Sequence, residues 1–200
     1  MIGPRQGAST AGSSGPQTGA DRPDPSKVEV LLIRHASAGH RNGSSPDDTT
    51  RRLDAKGRAS AQRIAEAFGE HGVLSISSSP IIRCVETVEA LAASTGHDIR
   101  IVAMFGENSP PDGSWAALED VVGQLLDDST IFHGGPRRAV ICSHGDIIPD
   151  LLRLASLRGT RFKGRSGNAK ASVWRLTGWD GATFATADYT APDDVTADQF

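Results

Sequence analysis

The segment LLIRHASA, residues 31–38, is an apolar run that ends in Arg34 and His35 and continues into small residues. Together with the preceding VEV it is rich in aliphatic and β-branched side chains, which is typical of a central strand covered on both faces. We therefore expect a buried strand over residues 28–33. Its stability requires neither an arginine nor a histidine at the carboxyl end, so both residues are candidates for a functional site.

Strand-like and helix-like patterns alternate along the rest of the chain. The further strand patterns occupy residues 73–77, 99–104, 139–142, 171–176 and 183–189. The helix patterns occupy residues 56–70, 81–94, 114–128, with Ser114 as the predicted cap, and a segment that begins after Asp146. This alternation predicts an α/β fold, a three-layer α/β/α sandwich with a mostly parallel central sheet in which 171–176 is antiparallel.

Length and composition predict the domain organisation. The chain has 200 residues, which is about the size of one domain. Residues 1–26 are rich in Gly, Ser and Pro and hold hardly any large apolar side chain, so they cannot bury enough surface to offset the entropy of ordering them. We therefore predict a disordered leader or tag over 1–26 and a single domain over 27–200.

Charge and hydropathy argue against several classes of partner. A formal net charge of -3 with interspersed signs creates no overall field that would attract nucleic acid or an anionic membrane. The sequence shows neither a secretory signal nor a run of ~18 apolar residues. We expect a cytoplasmic protein, monomeric or dimeric, with no nucleic-acid and no membrane partner.

The cysteines and histidines do not suggest a metal site. Cys84 and Cys142 are the only cysteines, and both fall in apolar segments, where we interpret them as small buried residues in a reducing compartment. No C-x-x-C or H-E-x-x-H spacing is present to supply the ligands of a zinc site. We expect neither a metal nor a cofactor.

Two further segments join the end of a strand to the start of a helix. SSSPIIRCVET, residues 77–87, carries Arg83 one turn into its helix, and VICSHGDII, residues 140–148, places His144 directly after its strand. Ligands of open α/β sheets bind at the carboxyl ends of the strands. We therefore expect these residues to share one crevice with the arginine and histidine of the first strand.

Four segments in this order, LLIRHASA, RRLDAKGRASAQ, SSSPIIRCVET and VICSHGDII, resemble the histidine phosphatase superfamily, which includes phosphoglycerate mutases, acid phosphatases and small phosphohistidine phosphatases. The sequence is most similar to the small phosphohistidine phosphatase (SixA-like) branch and to the C-terminal phosphatase domain of actinobacterial MutT/Nudix proteins. The resemblance implies a phosphoglycerate mutase-like fold and a metal-independent phosphatase that works through a phosphohistidine intermediate.

The residue types fit phosphoryl transfer. Arg34 and Arg83 would offer bidentate guanidinium forks to the phosphoryl oxygens, and His144 would add an N–H donor. His35 would be the nucleophile, because a neutral imidazole, with a reference pKa of ~6.5, is available at neutral pH and can form a phosphohistidine that water hydrolyses. These four residues are the predicted catalytic core.

The leaving oxygen also needs a proton. The resemblance places a general acid after the third strand, where Glu107 is the matching residue in the segment MFGENSP. This loop is short and rich in Gly and Pro, so Asp112 and Glu119 are kept as alternatives.

Three basic residues are candidate substrate contacts outside the catalytic core. Arg41 follows the catalytic loop, Arg51 precedes the segment LDAKG, and Lys170 could reach a second phosphate. The short connections leave little room for a lid, which favours phosphohistidine proteins, terminal phosphates of nucleotides or small phosphate esters over a mutase reaction. The alternative function is a non-catalytic phosphate-binding sensor or adaptor.

Overall fold

The computed structural model describes residues 24–39, 48–69, 71–128 and 135–199. Seven strands in these ranges form one sheet. The strands are β1 (Val28–Arg34), β2 (Val73–Ser78), β3 (Ile99–Ile101), β4 (Arg137–Ser143), β5 (Arg161–Lys163), β6 (Val173–Trp179) and β7 (Phe184–Thr190). The helices between them are α1 (Ala55–Phe68), α2 (Ile82–Thr95), α3 (Pro111–Asp127) and α4 (Ile147–Leu157).

The strand β1 lies at the centre of the sheet, whose order is β3-β2-β4-β1-β6-β7-β5. The pairs β1 with β4, β4 with β2 and β2 with β3 are parallel, whereas β6 is antiparallel to both β1 and β7. The predicted mostly parallel sheet, with an antiparallel strand after residue 171, is therefore confirmed. The carboxyl ends of β1 to β4 consequently meet at one edge of the sheet.

Helices cover both faces of this sheet, and β1 shows how the sequence dictates two layers. Its Leu31 and Ile33 are fully buried in an apolar cluster with α1 and α2. Its Val30 and Leu32 are fully buried in a second cluster with α3 and α4. Because neighbouring strand residues point to opposite faces, a continuous apolar run fills both clusters at once. The three-layer α/β/α sandwich that we predicted is confirmed.

Two local predictions were wrong. Only Ile99–Ile101 of the predicted strand 99–104 pairs with β2, and the chain then turns into a 3-10 helix, Ala103–Phe105. Ser114 does not cap α3, which begins three residues earlier at Pro111, a residue whose fixed φ suits a first helical turn. Ser114 is instead buried, and its Oγ donates to the Met104 carbonyl at 2.7 Å.

The sheet also contains a strand that the sequence pattern did not reveal. The strand β5, Arg161–Lys163, has three exposed residues and therefore no alternation of apolar and polar side chains. Before β1, a 3-10 turn over Pro25–Lys27 is capped by Asp24, whose carboxylate accepts from the Ser26 N–H at 3.0 Å. The rest of the predicted leader, residues 1–23, and the predicted substrate contact Arg41 lie outside the described residues.

Helix length and polarity were also compared with the requirements of a lipid bilayer. Within the described ranges, none of the helices combines the length and apolar character that crossing a membrane would take.

Candidate active site

The carboxyl ends of β1 and β4 bring the two predicted catalytic histidines together. These strands are adjacent and parallel, with Arg34 opposite Ser143. The His35 N–H donates to the Ser143 carbonyl at 2.9 Å and so extends the pairing by one residue. The rings of His35 and His144, although distant in sequence, have centroids 5.4 Å apart.

His35 is held as a neutral imidazole with one nitrogen available. Its Nδ1 lies 2.9 Å from the Ala36 carbonyl, which can only accept, so Nδ1 carries the proton and Nε2 keeps its lone pair. Burial lowers the pKa of His35 to about 3, and the positive charges of Arg83 and Arg34 disfavour the imidazolium further. A neutral ring of this tautomer is the state that a nucleophile requires.

The guanidinium of Arg34 is fixed beside this ring by two neighbouring segments. Its Nη1 donates to the Asn168 carbonyl, and the Asn168 Nδ2 donates to the Gly145 carbonyl at 2.8 Å. A Cβ on Gly145 would lie 2.8 Å from the Arg34 guanidinium carbon, so a larger residue at this position would displace the guanidinium. The Arg34 carbonyl also accepts from the N–H of Ala171 at 2.9 Å.

Arg83 is a fully buried cation on the first turn of α2. Its Nη2 lies 2.6 Å from the Glu107 carboxylate, and its Nη1 donates to the Asp48 carbonyl at 2.9 Å. A buried charge is tolerated only where it is paired and hydrogen-bonded, so these partners keep the guanidinium in place in the absence of a ligand.

His144 is fully buried, and different side chains contact its two nitrogens. The Ser79 Oγ lies 2.7 Å from Nε2, with the Cys84 sulfur at 3.4 Å from the same nitrogen. Nδ1 faces the Glu107 carboxylate at 3.5 Å and Arg83 Nη2 at 3.4 Å. The ring thus stands edge-on to the position that the carboxylate occupies.

Of the three carboxylates considered as general acid, Glu107 is the one that lines the cavity. Its carboxylate bridges Arg83 and His144, where an anion is electrostatically favoured. Glu119 instead accepts from the Trp115 indole N–H at 2.7 Å, and Asp112 is exposed at the start of α3. The structure therefore favours Glu107 among the candidates.

Two of the predicted substrate contacts lie at the rim of the same cavity. Arg51 makes a bidentate ion pair with Asp48, with nitrogen to oxygen distances of 2.8 and 3.1 Å. Lys170 Nζ lies 3.4 Å from the Gly39 carbonyl. Burial lowers the pKa of Lys170, and the nearby positive charges of Arg51 and Arg34 lower it further. This rim therefore concentrates positive charge next to the catalytic residues.

The cavity has a volume of about 490 Å³ and opens at the carboxyl edge of the sheet. Its lining is rich in charged residues and glycine: Arg34, His35, Gly39, Arg51, Glu107, Asn108, Gly145, Asp146 and Lys170. Space of this size accommodates more than a single phosphate ion, so part of a larger molecule can enter with it.

Asp54 is a structural contributor that the sequence reasoning missed. Its carboxylate caps α1 by accepting from the Gly57 N–H at 2.7 Å, and it also accepts from the Ser37 hydroxyl and the Gly39 N–H. The hydrogen bonds from Ser37 and Gly57 lower the pKa of Asp54. One carboxylate thus fixes the loop after His35 to a helix, and its position just before an apolar helical pattern was a signal for the cap.

Three other polar residues of the site were missed as well. Ser79 and Asn168 contact catalytic side chains, and the Asp146 carboxylate accepts from the Asn108 N–H at 2.9 Å to join two loops of the cavity. These residues occur in ordinary loop contexts in the sequence, where no spacing distinguishes them. Only the fold brings them to the site.

Comparisons with known proteins show which family and which structures this chain is similar to. The family model described as histidine phosphatase superfamily (branch 1) matches residues 30–109, a range that contains Arg34, His35, Arg83 and Glu107. A curated relative, an 8-oxo-(d)GTP phosphatase from Mycolicibacterium smegmatis, is 32% identical over 173 residues. That alignment covers 86% of this chain and 51% of the relative, so the chain spans about half the relative's length.

Solved structures share the fold. The protein histidine phosphatase SixA, complexed with tungstate, superposes with a TM-score of 0.59 at 13% identity, over 84% of this chain and 100% of that chain. A phosphoglycerate mutase from Bacillus anthracis gives a TM-score of 0.59 at 15% identity, over 86% and 97% of the two chains. The resemblance found in the sequence is confirmed: the histidine phosphatase superfamily model matches this chain over residues 30–109.

Proposed function

We propose that this protein is a metal-independent phosphatase that hydrolyses phosphate esters through a phosphohistidine at His35. The observation that carries the proposal is the neutral His35 ring, whose Nε2 keeps its lone pair beside two arginines and a second histidine. A nucleophile surrounded by preorganised cations and N–H donors suits the transfer of a group whose oxygens bear negative charge.

The bound phosphoryl group would take the place that the Glu107 carboxylate occupies between Arg83 and His144. Arg34 is ready for the same group, because its Nε is buried and has no hydrogen-bond partner among the described residues. In the reaction that we propose, these donors would hold the phosphoryl oxygens and turn the phosphorus toward the His35 lone pair. Positioning and charge neutralisation therefore come from the protein's own side chains.

In the first step, His35 Nε2 attacks phosphorus, a P–N bond forms, and the bond from phosphorus to the leaving oxygen breaks. The electron pair stays on that oxygen, which takes a proton from Glu107, whose carboxylate would take up that proton from solvent when the phosphoryl group displaces it from Arg83. In the second step, a water molecule gives its proton to the Glu107 carboxylate and attacks phosphorus. The P–N bond breaks, and neutral His35 and inorganic phosphate are regenerated.

The cations at the rim support a substrate that carries a second anionic group. Lys170 precedes Ala171, which adopts a φ of 62°, a left-handed conformation that is rare for a residue other than glycine. The Ala171 N–H is bound by the Arg34 carbonyl, which fixes this conformation beside the active site. We therefore propose that the substrate is a nucleoside diphosphate or triphosphate cleaved at its terminal phosphate; the name of the curated relative is consistent with a nucleotide.

The proposal is tested by phosphate release in the presence of a chelator. The panel holds an aryl phosphate, a phosphohistidine protein, sugar phosphates, and nucleoside di- and triphosphates, with His35→Ala as the blank. We expect turnover that survives chelation and is fastest for the nucleotides. Turnover fastest for the phosphohistidine protein would replace the substrate class, and phosphate binding without any turnover would establish the sensor function instead.

The contribution of Lys170 is measured with a pair of charge-removing variants. Lys170→Met should lower kcat/KM for nucleotides by about 10-fold and leave the aryl phosphate within about 2-fold, the scale expected for one charge-assisted contact. Lys163→Met, at an exposed lysine of β5 outside the cavity lining, is the matched control. If Lys170→Met lowered kcat/KM equally for the nucleotides and the aryl phosphate, Lys170 would not bind a second anionic group of the substrate.

A further inference from the structure

Ser79 holds a position next to the catalytic core that its sequence context does not explain. It directly follows β2 and is fully buried, and its N–H donates to the Cys142 carbonyl at 3.0 Å. Its Oγ accepts from the Ile81 N–H at 3.2 Å and lies 2.7 Å from His144 Nε2. The hydroxyl is therefore fixed by backbone contacts and points at one nitrogen of the catalytic ring.

The hydroxyl has one proton to donate, and one of its lone pairs is already used by Ile81. Donation of that proton to His144 Nε2 is possible only when the ring carries its own proton on Nδ1. On the opposite side of the ring, Nδ1 faces the carboxylate of Glu107 at 3.5 Å, which can only accept. Arg83 Nη2, which can only donate, also lies 3.4 Å from Nδ1, but it is already paired with the Glu107 carboxylate at 2.6 Å. The Ser79 hydroxyl and the Glu107 carboxylate thus favour the same tautomer.

A phosphoryl group makes the same demand, because its oxygens also only accept hydrogen bonds. We propose that Ser79 is a positioning residue that donates to His144 Nε2 and so keeps the His144 proton on Nδ1, directed at the phosphoryl group. The proposal rests on the phosphatase function proposed above. If the ring takes up a second proton, the hydroxyl rotates and accepts from Nε2, so the contact is kept.

Cys84 is the competing partner, since its sulfur lies 3.4 Å from the same nitrogen. A thiol is a weaker donor than a hydroxyl, and the oxygen contact at 2.7 Å is the shorter one. The two roles are separable by substitution, because Ser79 and Cys84 belong to different elements.

The test compares Ser79→Ala with Ser78→Ala. Ser78 is a matched control, because it is equally buried and its hydroxyl donates to the Ser79 carbonyl. The tautomer is read from nitrogen NMR shifts of protein labelled with ¹⁵N-histidine, with the His144 signals assigned through His144→Gln. Activity is measured as kcat/KM for an aryl phosphate, and vanadate affinity reports on the binding of a transition-state analogue.

We expect the wild type and Ser78→Ala to show a protonated Nδ1 and an unprotonated Nε2 at His144. Ser79→Ala should shift the proton to Nε2, lower kcat/KM by about 10- to 100-fold and weaken vanadate binding to a similar extent, as expected for the loss of one buried partner of a catalytic donor. Ser79→Thr, which keeps a hydroxyl, should restore the Nδ1 proton.

Wild-type spectra with the proton on Nε2 would overturn the proposal, and they can be recorded even if Ser79→Ala fails to fold. Loss of activity in Ser79→Ala with an unchanged tautomer would reduce Ser79 to a packing residue. A tautomer that changes in Cys84→Ala but not in Ser79→Ala would assign the role to the thiol. An enzyme without turnover whose wild-type and Ser79→Ala spectra match our expectation would contradict the proposed function and leave this inference standing.

Discussion

The ends of β1 and β4 have nearly the same sequence pattern, an apolar strand followed by a histidine and a small residue, but they place those histidines in different surroundings. His35 lines the cavity, and its Nδ1 contacts a backbone carbonyl. His144 is fully buried one strand away and contacts side chains through both nitrogens. We will call these regions the first junction and the second junction.

The difference between the junctions would let one pattern serve the two tasks that we propose. A backbone carbonyl on Nδ1 leaves the other nitrogen of His35 with a lone pair, which suits attack on phosphorus. A hydroxyl on Nε2 of His144 leaves its other nitrogen able to donate, which suits stabilisation of the phosphoryl oxygens. Whether a histidine acts as nucleophile or as donor would therefore depend on which of its ring nitrogens has a hydrogen-bond partner in the protein.

The largest expected effect comes from removing the nucleophile at the first junction. His35→Ala should lower kcat by about 10³-fold or more, because it removes the nitrogen that we propose as the nucleophile. The fold should change little, as measured by the circular dichroism spectrum and Tm, since the ring faces a cavity. A variant that keeps more than a tenth of the wild-type rate would show that another group attacks phosphorus.

A smaller effect is expected at the second junction. His144→Ala removes one donor to the transition state and should lower kcat/KM by about 10²- to 10³-fold, as found for single oxyanion donors. Rapid-quench labelling with a phosphate ester should still detect a slowly formed phosphoenzyme in this variant, whereas His35→Ala should give none. A labelled His35→Ala protein would reverse the roles of the two junctions.

A pair of glycine substitutions distinguishes a steric clash with a catalytic side chain from a steric clash with the backbone. Gly145→Ala would place its Cβ 2.8 Å from the mobile end of Arg34, so we expect about a 10-fold loss of kcat/KM with the fold retained. Gly57→Ala would place its Cβ 2.0 Å from the Ser37 backbone carbonyl, so the free energy of unfolding should fall by about 2 kcal/mol or more. Urea denaturation measures the free energy of unfolding of both variants, and steady-state kinetics measure their kcat/KM. A larger loss of stability in Gly145→Ala than in Gly57→Ala would contradict the close contacts described here.

The effect that is smallest at neutral pH, and that grows only in acid, is a pH dependence that originates at the first junction. The folded-state pKa of His35, about 3, lies below its ordinary value of 6.5. Between these pH values the unfolded chain binds a proton that the folded chain does not, so this residue makes the free energy of unfolding fall as pH decreases, by up to about 1.4 kcal/mol per pH unit. Above pH 6.5 the contribution is constant.

His35→Gln should therefore show a shallower loss of stability between pH 6.5 and 3 than the wild type, and the same slope above that range. Urea denaturation at a series of pH values measures both slopes. Identical slopes in the acidic range would mean that the histidine ring is far better solvated than its burial implies.

The sequence allowed the prediction of the catalytic core because charged residues at the ends of apolar strands are conspicuous. Arg34 and His144 interrupt patterns that the sheet itself would continue, and the order of the strands then brings them together. Ser79 and Asn168 could not be found in this way, whereas Asp54 carries the local signal of a helix cap. Ser79 and Asn168 are common polar residues whose partners lie far away in the sequence, so their roles depend on packing that no local pattern contains.

The same reasoning explains the errors in the fold. Ser114 is a favourable helix cap in isolation, but Pro111 begins the helix earlier and the serine hydroxyl finds the Met104 carbonyl. The strand β5 carries no periodic pattern because both of its faces are exposed. Buried elements were thus predicted well, and exposed or boundary residues less well.

Arg34 is fixed by residues in the last quarter of the chain, and this has a consequence for synthesis on the ribosome. Arg34 emerges early, but the carbonyl of Asn168 and the N–H of Ala171 that secure it emerge some 130 residues later. Among the described strands β1 pairs with β4 and β6, so the site at its carboxyl end can assemble only after most of the chain has been synthesised. We therefore expect partly synthesised copies to lack the phosphatase activity that we propose.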